Sequence, residues 1–395
     1  KGDSDELISA RIRKLTLFAL LVFAIHGCSS QRAVDPYLKA QEIRNFGISA
    51  DLWLLRVPDQ EGFLPYFYDP ESDQFDSRLH DLGELHALKH LTDRSLNRDP
   101  FVQPTRDLLA AINSNWIESH KLGTRLVFDQ SSSLGANALW LRVQIAQFLG
   151  TQDPALGRQI SANAEFIRKS FDLEKGFPER FLSGKTQSTY YQRYYSAQAT
   201  LVLLEHSQAF NDSRSLMIAD QALSWLTSRY PTNSRDDFHP SLVPWLAFSI
   251  AKHFSLTGQS NYLNDLFLMT KNLADLQADA DFPGRFGSDK TLDFGRPNAV
   301  RDALSTLALL ESLQIAEQLQ ETRLTNIYRK AIWLALEHLR SQQYDHGKVS
   351  AFPKPINAVG AIRLRHNEAL VRLDATVFGA QVFEKAAELI QKGVL

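Results

Sequence analysis

Beyond residue 37, apolar side chains recur at three- and four-residue intervals along almost the whole chain, and the strict alternation of a half-buried strand is scarce. Leu139, Val143, Ala146 and Leu149 keep the helical spacing, as do Leu304, Leu307, Ala308 and Ile315. The pattern predicts helices over 38–56, 80–92, 104–119, 131–149, 154–171, 192–210, 213–229, 238–257, 260–278, 297–319, 322–342 and 367–392. Short and long connections alternate between them. The short ones carry turn chemistry: Gly150-Thr151-Gln152-Asp153-Pro154, Asn211-Asp212-Ser213 and Thr257-Gly258-Gln259-Ser260. Each closes one helix and offers a polar N-cap to the next. Leu156, Leu216 or Leu263 follows a few residues later, so the chain reads as repeated helix hairpins with a period of roughly 50–60 residues. The long connections are Pro58–Leu79, Lys121–Gln130, Asp172–Tyr191, Tyr230–Asp237, Asp279–Arg296 and Tyr344–His366.

That alternation predicts an all-α fold, an (α/α)6 toroid. Hairpins stacked in a ring put every short turn on one face and every long loop on the other. Twelve helices make six hairpins, provided that helix 38–56 pairs with the last helix and closes the ring. An open superhelix of helical repeats is the competing arrangement. The length of the inter-hairpin loops favours the ring, because open solenoids keep such connections short.

The first residues follow another logic. Arg11, Arg13 and Lys14 precede an apolar run from Leu15 to Ile25, then His26, Gly27 and Cys28. The run is shorter than the ~20 apolar residues that a membrane span needs, and its basic flank makes it a secretory signal. Ile25-His26-Gly27-Cys28 resembles the bacterial lipobox, which implies lipidation of Cys28 and removal of residues 1–27. Ser29 after it resembles an outer-membrane sorting signal, and residues 28–36 would be a tether ahead of a toroid over 37–395. The implied location is the bacterial envelope, facing the periplasm or the cell surface. Cys28 is the only cysteine, so an anchoring role also explains why an exported chain carries one thiol and no disulfide partner.

Composition changes this picture little. The chain has 395 residues, 44% hydrophobic and 22% charged, with a formal net charge of −2. Nothing in that balance points to nucleic acid.

Loops longer than about 12–15 residues usually have a task, and three of these are rich in rings. The first carries Phe63, Tyr66, Phe67, Tyr68 and Phe75; the third Phe177, Phe181, Tyr190 and Tyr191; the fifth Phe282, Phe286 and Phe294 with Arg285 and Arg296. Flat rings beside guanidinium and carboxylate groups suit a saccharide, although the same rings can simply plug the barrel top. Tyr190, Tyr191, Arg193 and Tyr194 form the densest aromatic-basic cluster. Asp236, Asp237 and His239 supply an acid and a base suited to glycosidic chemistry, with an N-cap role open for Asp237. Arg372 and Asp374, within the last expected helix, are either a core ion pair or pocket-facing groups.

Gly62-Phe63-Leu64-Pro65-Tyr66-Phe67-Tyr68-Asp69-Pro70 resembles a segment of bacterial six-hairpin proteins related in fold to N-acylglucosamine 2-epimerases, unsaturated glucuronyl hydrolases and glucuronyl C5-epimerase-like domains. Leu134-Gly135-Ala136-Asn137-Ala138-Leu139, Tyr194-Tyr195-Ser196-Ala197-Gln198-Ala199 and Val371-Arg372-Leu373-Asp374 are similar to further segments of those proteins. The resemblance spans most of residues 40–390 and implies the toroid. Departures bear on activity: His80 and Asp81 stand where relatives carry Arg-His, Val243-Pro244 where they carry Asp-His, and Phe378-Gly379 where they carry Gln-His.

Other motifs fail. Ser183-Gly184-Lys185-Thr186 ends like a phosphate loop, but Glu179 replaces its first glycine. His86 and His90 have the helical spacing of metal ligands without a third ligand. No cofactor or metal is expected. Three functions follow: an enzyme of an acidic or amino-sugar glycan (hydrolase, lyase or epimerase), a non-catalytic glycan-binding or export-assisting lipoprotein, and a protein-interaction scaffold. The pocket residues expected are Tyr66, Tyr190, Tyr191, Arg193, Tyr194, Arg372, Asp236, Asp237, His239 and Asp374.

Overall fold

Helix hairpins built on left-handed turn residues set the architecture of the chain, seen here in a computed structural model. It describes residues 35–76, 78–96, 99–120, 123–182, 189–229, 240–277, 280–288 and 296–395. Cys28 and the signal and tether residues before 35 lie outside them, as do Asp236, Asp237 and His239. The twelve longer helices among the described residues are α1 (Pro36–Arg56), α2 (Asp81–Ser95), α3 (Val102–Trp116), α4 (Leu134–Thr151), α5 (Pro154–Lys169) and α6 (Thr189–Phe210), followed by α7 (Ser213–Arg229), α8 (Val243–Thr257), α9 (Leu263–Asp275), α10 (Ala299–Gln318), α11 (Thr322–Gln342) and α12 (Leu373–Gln391). A helix is closed in the left-handed region at each of four short turns: Gln152 (φ 54°), Asn211 (φ 51°), Gly258 (φ 67°) and Gln320 (φ 60°). Asp153 then caps α5 by accepting from the Ala155 amide at 2.8 Å.

The even-numbered helices form an inner ring in which α2, α4, α6, α8, α10 and α12 each touch the next, and α12 touches α2 again. Each odd-numbered helix packs outside an inner one, and α1 runs along α12. The ring is closed. Its chemistry follows from position: an inner helix meets protein on nearly every side, so α4 buries Leu134, Leu139, Leu141 and Ile145 round its circumference. Outer helices bury a single stripe, such as Gly157, Ile160, Ala164 and Ile167 on α5. On α1, Trp53 and Leu54 are fully buried, and the Trp53 indole donates to the Asn357 carbonyl at 2.8 Å. Ser249 of α8 reaches the Ala197 carbonyl of α6 at 3.0 Å, joining two inner helices.

Short strands occupy the long-loop face. β1 (Phe67–Asp69) pairs antiparallel with β2 (Gln74–Phe75) and with the later β7 (Val371–Arg372). β3 (Ile117–His120) and β4 (Gly123–Leu126) form a hairpin, while β5 (Ser132–Ser133) pairs with β6 (Arg180–Leu182). Three expected boundaries move as a result. The helix expected from 131 starts at Leu134, because Ser132 and Ser133 enter β5. The third helix stops at Trp116 because 117–120 enters the hairpin. The last helix starts at Leu373, not near 367, because Val371 and Arg372 bond to β1. Arg372 therefore precedes the helix, and Asp374 lies in its first turn.

Candidate functional site

All six inner helices begin at the long-loop face, so their N-terminal ends converge on one mouth. Partial positive charge accumulates there. The mouth opens into a cavity of about 730 Å³. Each inner helix contributes residues from its first two turns or the loop just before it: His80 and Asp81, Ser133, Tyr191 and Tyr194, Pro244, Arg301, and Arg372 with Asp374.

The most constrained part of the wall joins the first loop to the last. Pairing of Phe67 with Arg372, and donation from the Leu373 amide to the Tyr66 carbonyl at 2.9 Å, bring β1 and β7 together. Arg372 then grips Asp374 with two contacts, Nε to Oδ1 at 2.6 Å and an Nη to Oδ2 at 3.0 Å. The Tyr66 hydroxyl lies 3.4 Å from Asp374 Oδ2, with the Arg372 guanidinium 5.7 Å from the centre of its ring. Tyr66 stands one layer back, behind the lining, and stacks on the His80 imidazole at 4.2 Å with planes 9° apart. A side chain at Gly83 would put a Cβ 2.7 Å from the Tyr66 ring, so only glycine lets the ring rest on α2. Burial, then the nearby Asp374 carboxylate, pushes the Tyr66 hydroxyl pKa well up.

Asp81 opens α2 and lines the cavity. Burial pushes its carboxyl pKa upward, partly offset by His80 and by the Leu82 amide, which donates at 2.8 Å. Two carboxyl groups thus face one cavity from adjacent helices: Asp81 in a desolvated niche and Asp374 paired with an arginine. Divergent environments of this kind let two carboxyl groups take different protonation roles.

Tyr191, Tyr194 and Tyr195 form the aromatic wall. Tyr191 stacks on Tyr195 at 5.6 Å, and Tyr194 meets Trp245 edge-on at 6.0 Å. Burial, then Asp81, pushes the Tyr195 hydroxyl upward. The other loop rings divide. Phe63, Tyr68, Phe177 and Phe286 are fully buried in the hydrophobic core, Phe63 stacking on Trp116 at 5.2 Å. The Tyr190 side chain and Phe294 lie outside what is described. Arg193 is in α6 but does not line the cavity.

Charge in the lining is mostly positive. Among the described residues, Arg180, Arg296, Arg301, Arg365 and Arg372 face it against Asp81, Asp129 and Asp374. Arg180 is held by Glu179 at 3.0 Å and Ser131 at 2.7 Å, and Arg365 by Glu368 at 2.7 Å. Of the pocket residues expected from the sequence, the structure thus brings Tyr191, Tyr194, Arg372 and Asp374 to the cavity, with Tyr66 behind them. Asp81, Tyr195, Arg180, Arg301 and Arg365 had no place in the sequence-based site. The available signal was positional, since several of them stand at or near the start of an inner helix.

A second cavity, about 390 Å³, opens on the opposite, short-turn side. His86, Trp245 and Phe378 line its inner end. His86 stacks on Trp245 at 5.4 Å, and burial pushes its pKa down to about 3, so it stays neutral. Below it Arg142 of α4 and Glu205 of α6 form a half-buried two-contact ion pair at 2.8 and 2.7 Å. His90 instead bonds Asp51 of α1 at 2.7 Å. Among the described residues no three His, Cys, Asp or Glu side chains are grouped to hold a metal ion.

No protein-family model and no curated protein matches the chain by sequence. Solved structures do match it in shape. The chain has the (α/α)6 toroid fold. A cellobiose 2-epimerase from Bacillus thermoamylovorans superposes with a TM-score of 0.67 at 9% identity, covering 89% of this chain and 99% of that one. A D-mannose isomerase gives 0.65 at 14% identity, covering 90% and 99%. An inactive variant of an α-1,6-mannanase from Salegentibacter sp., in complex with α-1,6-mannotetrose, gives 0.59 at 13% identity, covering 90% and 100%. At such identities the likeness concerns the fold.

Proposed function

We propose that the chain is a carbohydrate-active enzyme that acts on an acidic glycan in the long-loop cavity. The observation that carries this reading is the pair of carboxyl groups at one mouth: Asp81, desolvated, and Asp374, gripped by Arg372 and touched by Tyr66. Asp81 holds its proton to higher pH and serves as the acid, while Asp374 serves as base or charge partner. Tyr191, Tyr194 and Tyr195 stack on the sugar faces. The arginine excess and the six helix N-termini favour an anionic sugar over a neutral one. Enzymes that share the fold and act on sugars, such as the epimerase and the isomerase, support the substrate class in general.

The reading includes an envelope lipoprotein: residues 1–27 removed, Cys28 lipidated, 28–36 a tether, and 37–395 one toroid. No described helix is long and apolar enough to cross a membrane, and anchoring through a lipid needs none. Asp236, Asp237 and His239 remain proposed contributors to the same mouth, since they stand a few positions before α8 in the sequence.

Turnover of uronic-acid oligosaccharides, followed by product release and by NMR of the reducing end, tests the proposal. Asp374→Asn and Asp81→Asn should each lower turnover by at least about a hundredfold, with oligosaccharide binding retained. A wild-type protein that binds these glycans without turnover would favour the non-catalytic binding lipoprotein. Absence of any glycan binding would favour the scaffold.

A further inference from the structure

The direction of the helices decides which end of the barrel meets a membrane. Inner helices descend from the mouth, short turns reverse the chain, and outer helices return. The outer helix α1 therefore starts on the short-turn side. Its contacts agree: Arg44, in the first half of α1, donates to Gln391 at 3.0 Å and lies 3.6 Å from Glu384, both in the second half of α12. The tether joins α1 there.

Covalent reach then limits the geometry. Cys28 stands seven positions before Asp35, and that stretch spans at most about 25 Å. α1 has 21 residues and is about 31 Å long. A lipid held at Cys28 cannot be reached with the long-loop mouth lying flat on the bilayer.

The short-turn side also carries exposed apolar side chains. Tyr37 and Leu38, directly after the tether, are each 62% exposed; Leu149 is 54% and Leu96 46% exposed. Leu96 and Leu149 line a cleft of about 460 Å³ between α2, α4 and α6. Exposed tyrosine and leucine at the root of an anchor are the residues that favour the lipid–water boundary.

We infer that the short-turn face is a membrane-contact surface, seated on the lipid that holds Cys28, and that the saccharide mouth points away from the membrane. The inference rests on the anchoring proposed above and adds an orientation to it. An enzyme so held presents its mouth to polymers approaching from the aqueous side.

Full-length protein from the membrane fraction, carrying Leu149→Cys or Leu173→Cys, is labelled with bimane and reconstituted into vesicles of phosphatidylethanolamine and phosphatidylglycerol. Each sample is compared with and without nitroxide-labelled lipid. Position 149 should lose most of its emission, while position 173, exposed in a long loop, should keep it. The reverse pattern, or quenching at neither position in a chain whose Cys28 is acylated by mass spectrometry, overturns the inference. A dimer in the ultracentrifuge that Leu149→Glu dissolves, without quenching at 149, assigns the face to a second copy and also overturns it. An unacylated Cys28 refutes the anchoring alone. The same vesicles mixed with that unanchored chain then decide the surface, with quenching at 149 sustaining it and its absence overturning it.

Discussion

Glu84 illustrates how much a single burial decides. It lies in the first turn of α2, fully buried, with the Leu64 amide donating to one oxygen at 3.2 Å and no hydrogen-bond partner for the other. Burial pushes its pKa from the usual 4.5 up to about 8. The folded state therefore keeps a proton that the unfolded chain releases above 4.5, and the contribution to stability falls as pH rises from 4.5 to 8, by up to about 1.4 kcal/mol per unit. His86 acts in the opposite direction: held neutral down to about 3, it costs stability as pH falls below the unfolded value of 6.5. Glu84→Gln isolates the first effect. In urea unfolding its advantage over the wild type should grow steadily between pH 5 and pH 8, and an advantage independent of pH would refute the protonated carboxyl. None of this was legible beforehand, because Glu84 reads in sequence as an ordinary first-turn acid.

At the scale of elements, the four short turns do one conformational job with different residues. Gly258 adopts φ 67° with no atom within 4 Å of where a Cβ would sit. Gly258→Ala should therefore lose about 1 kcal/mol through backbone strain alone. Gln320 holds φ 60° with a side chain, so Gln320→Gly should be neutral or stabilising by a few tenths of a kcal/mol. Chemical denaturation of both variants checks the pair, and equal signs would show that packing, not φ, controls the turns. Three of these turns were readable in sequence, since helix-closing residues act locally, but the polar N-cap expected in Thr257-Gly258-Gln259-Ser260 is not made: α9 starts at Leu263 behind Tyr262, with no side-chain cap. The start of the last helix was not readable: Val371 and Arg372 are drawn into β7 by a strand some 300 residues earlier, a pairing that no local signal announces.

For the whole molecule, closure depends on one junction. α1 is the first helix and α12 the last, yet they make the most extensive helix pair in the ring, with Trp53, Leu54, Ile43 and Ala50 buried. Each large apolar side chain returned to water loses about 1.5–3 kcal/mol, against a total stability of about 5–15 kcal/mol. A chain lacking residues 35–57 should lose its cooperative thermal transition by circular dichroism, or aggregate. An unchanged melt would mean that the remaining hairpins stand alone as an open superhelix does.

The hydrophobic period and the alternation of short and long connections, both local properties, were enough to determine twelve helices, six hairpins and the side on which loops gather. They also drew attention to Tyr191, Tyr194, Arg372 and Asp374, because aromatic and charged residues clustered near loop ends stand out in one dimension. Which of these groups meet was decided only in three dimensions. Arg301 and Arg365 look unremarkable in sequence, and Asp81 stands out there only as a departure from relatives; all three come to share a cavity with Asp374 because ring closure carries the starts of six separate helices to one mouth. Whether a ring lines the cavity, as Tyr194 does, or is buried in the core, as Phe286 is, depends on the direction in which each loop re-enters the ring. That direction is set by long-range packing, so it leaves no trace in the spacing of residues along the chain.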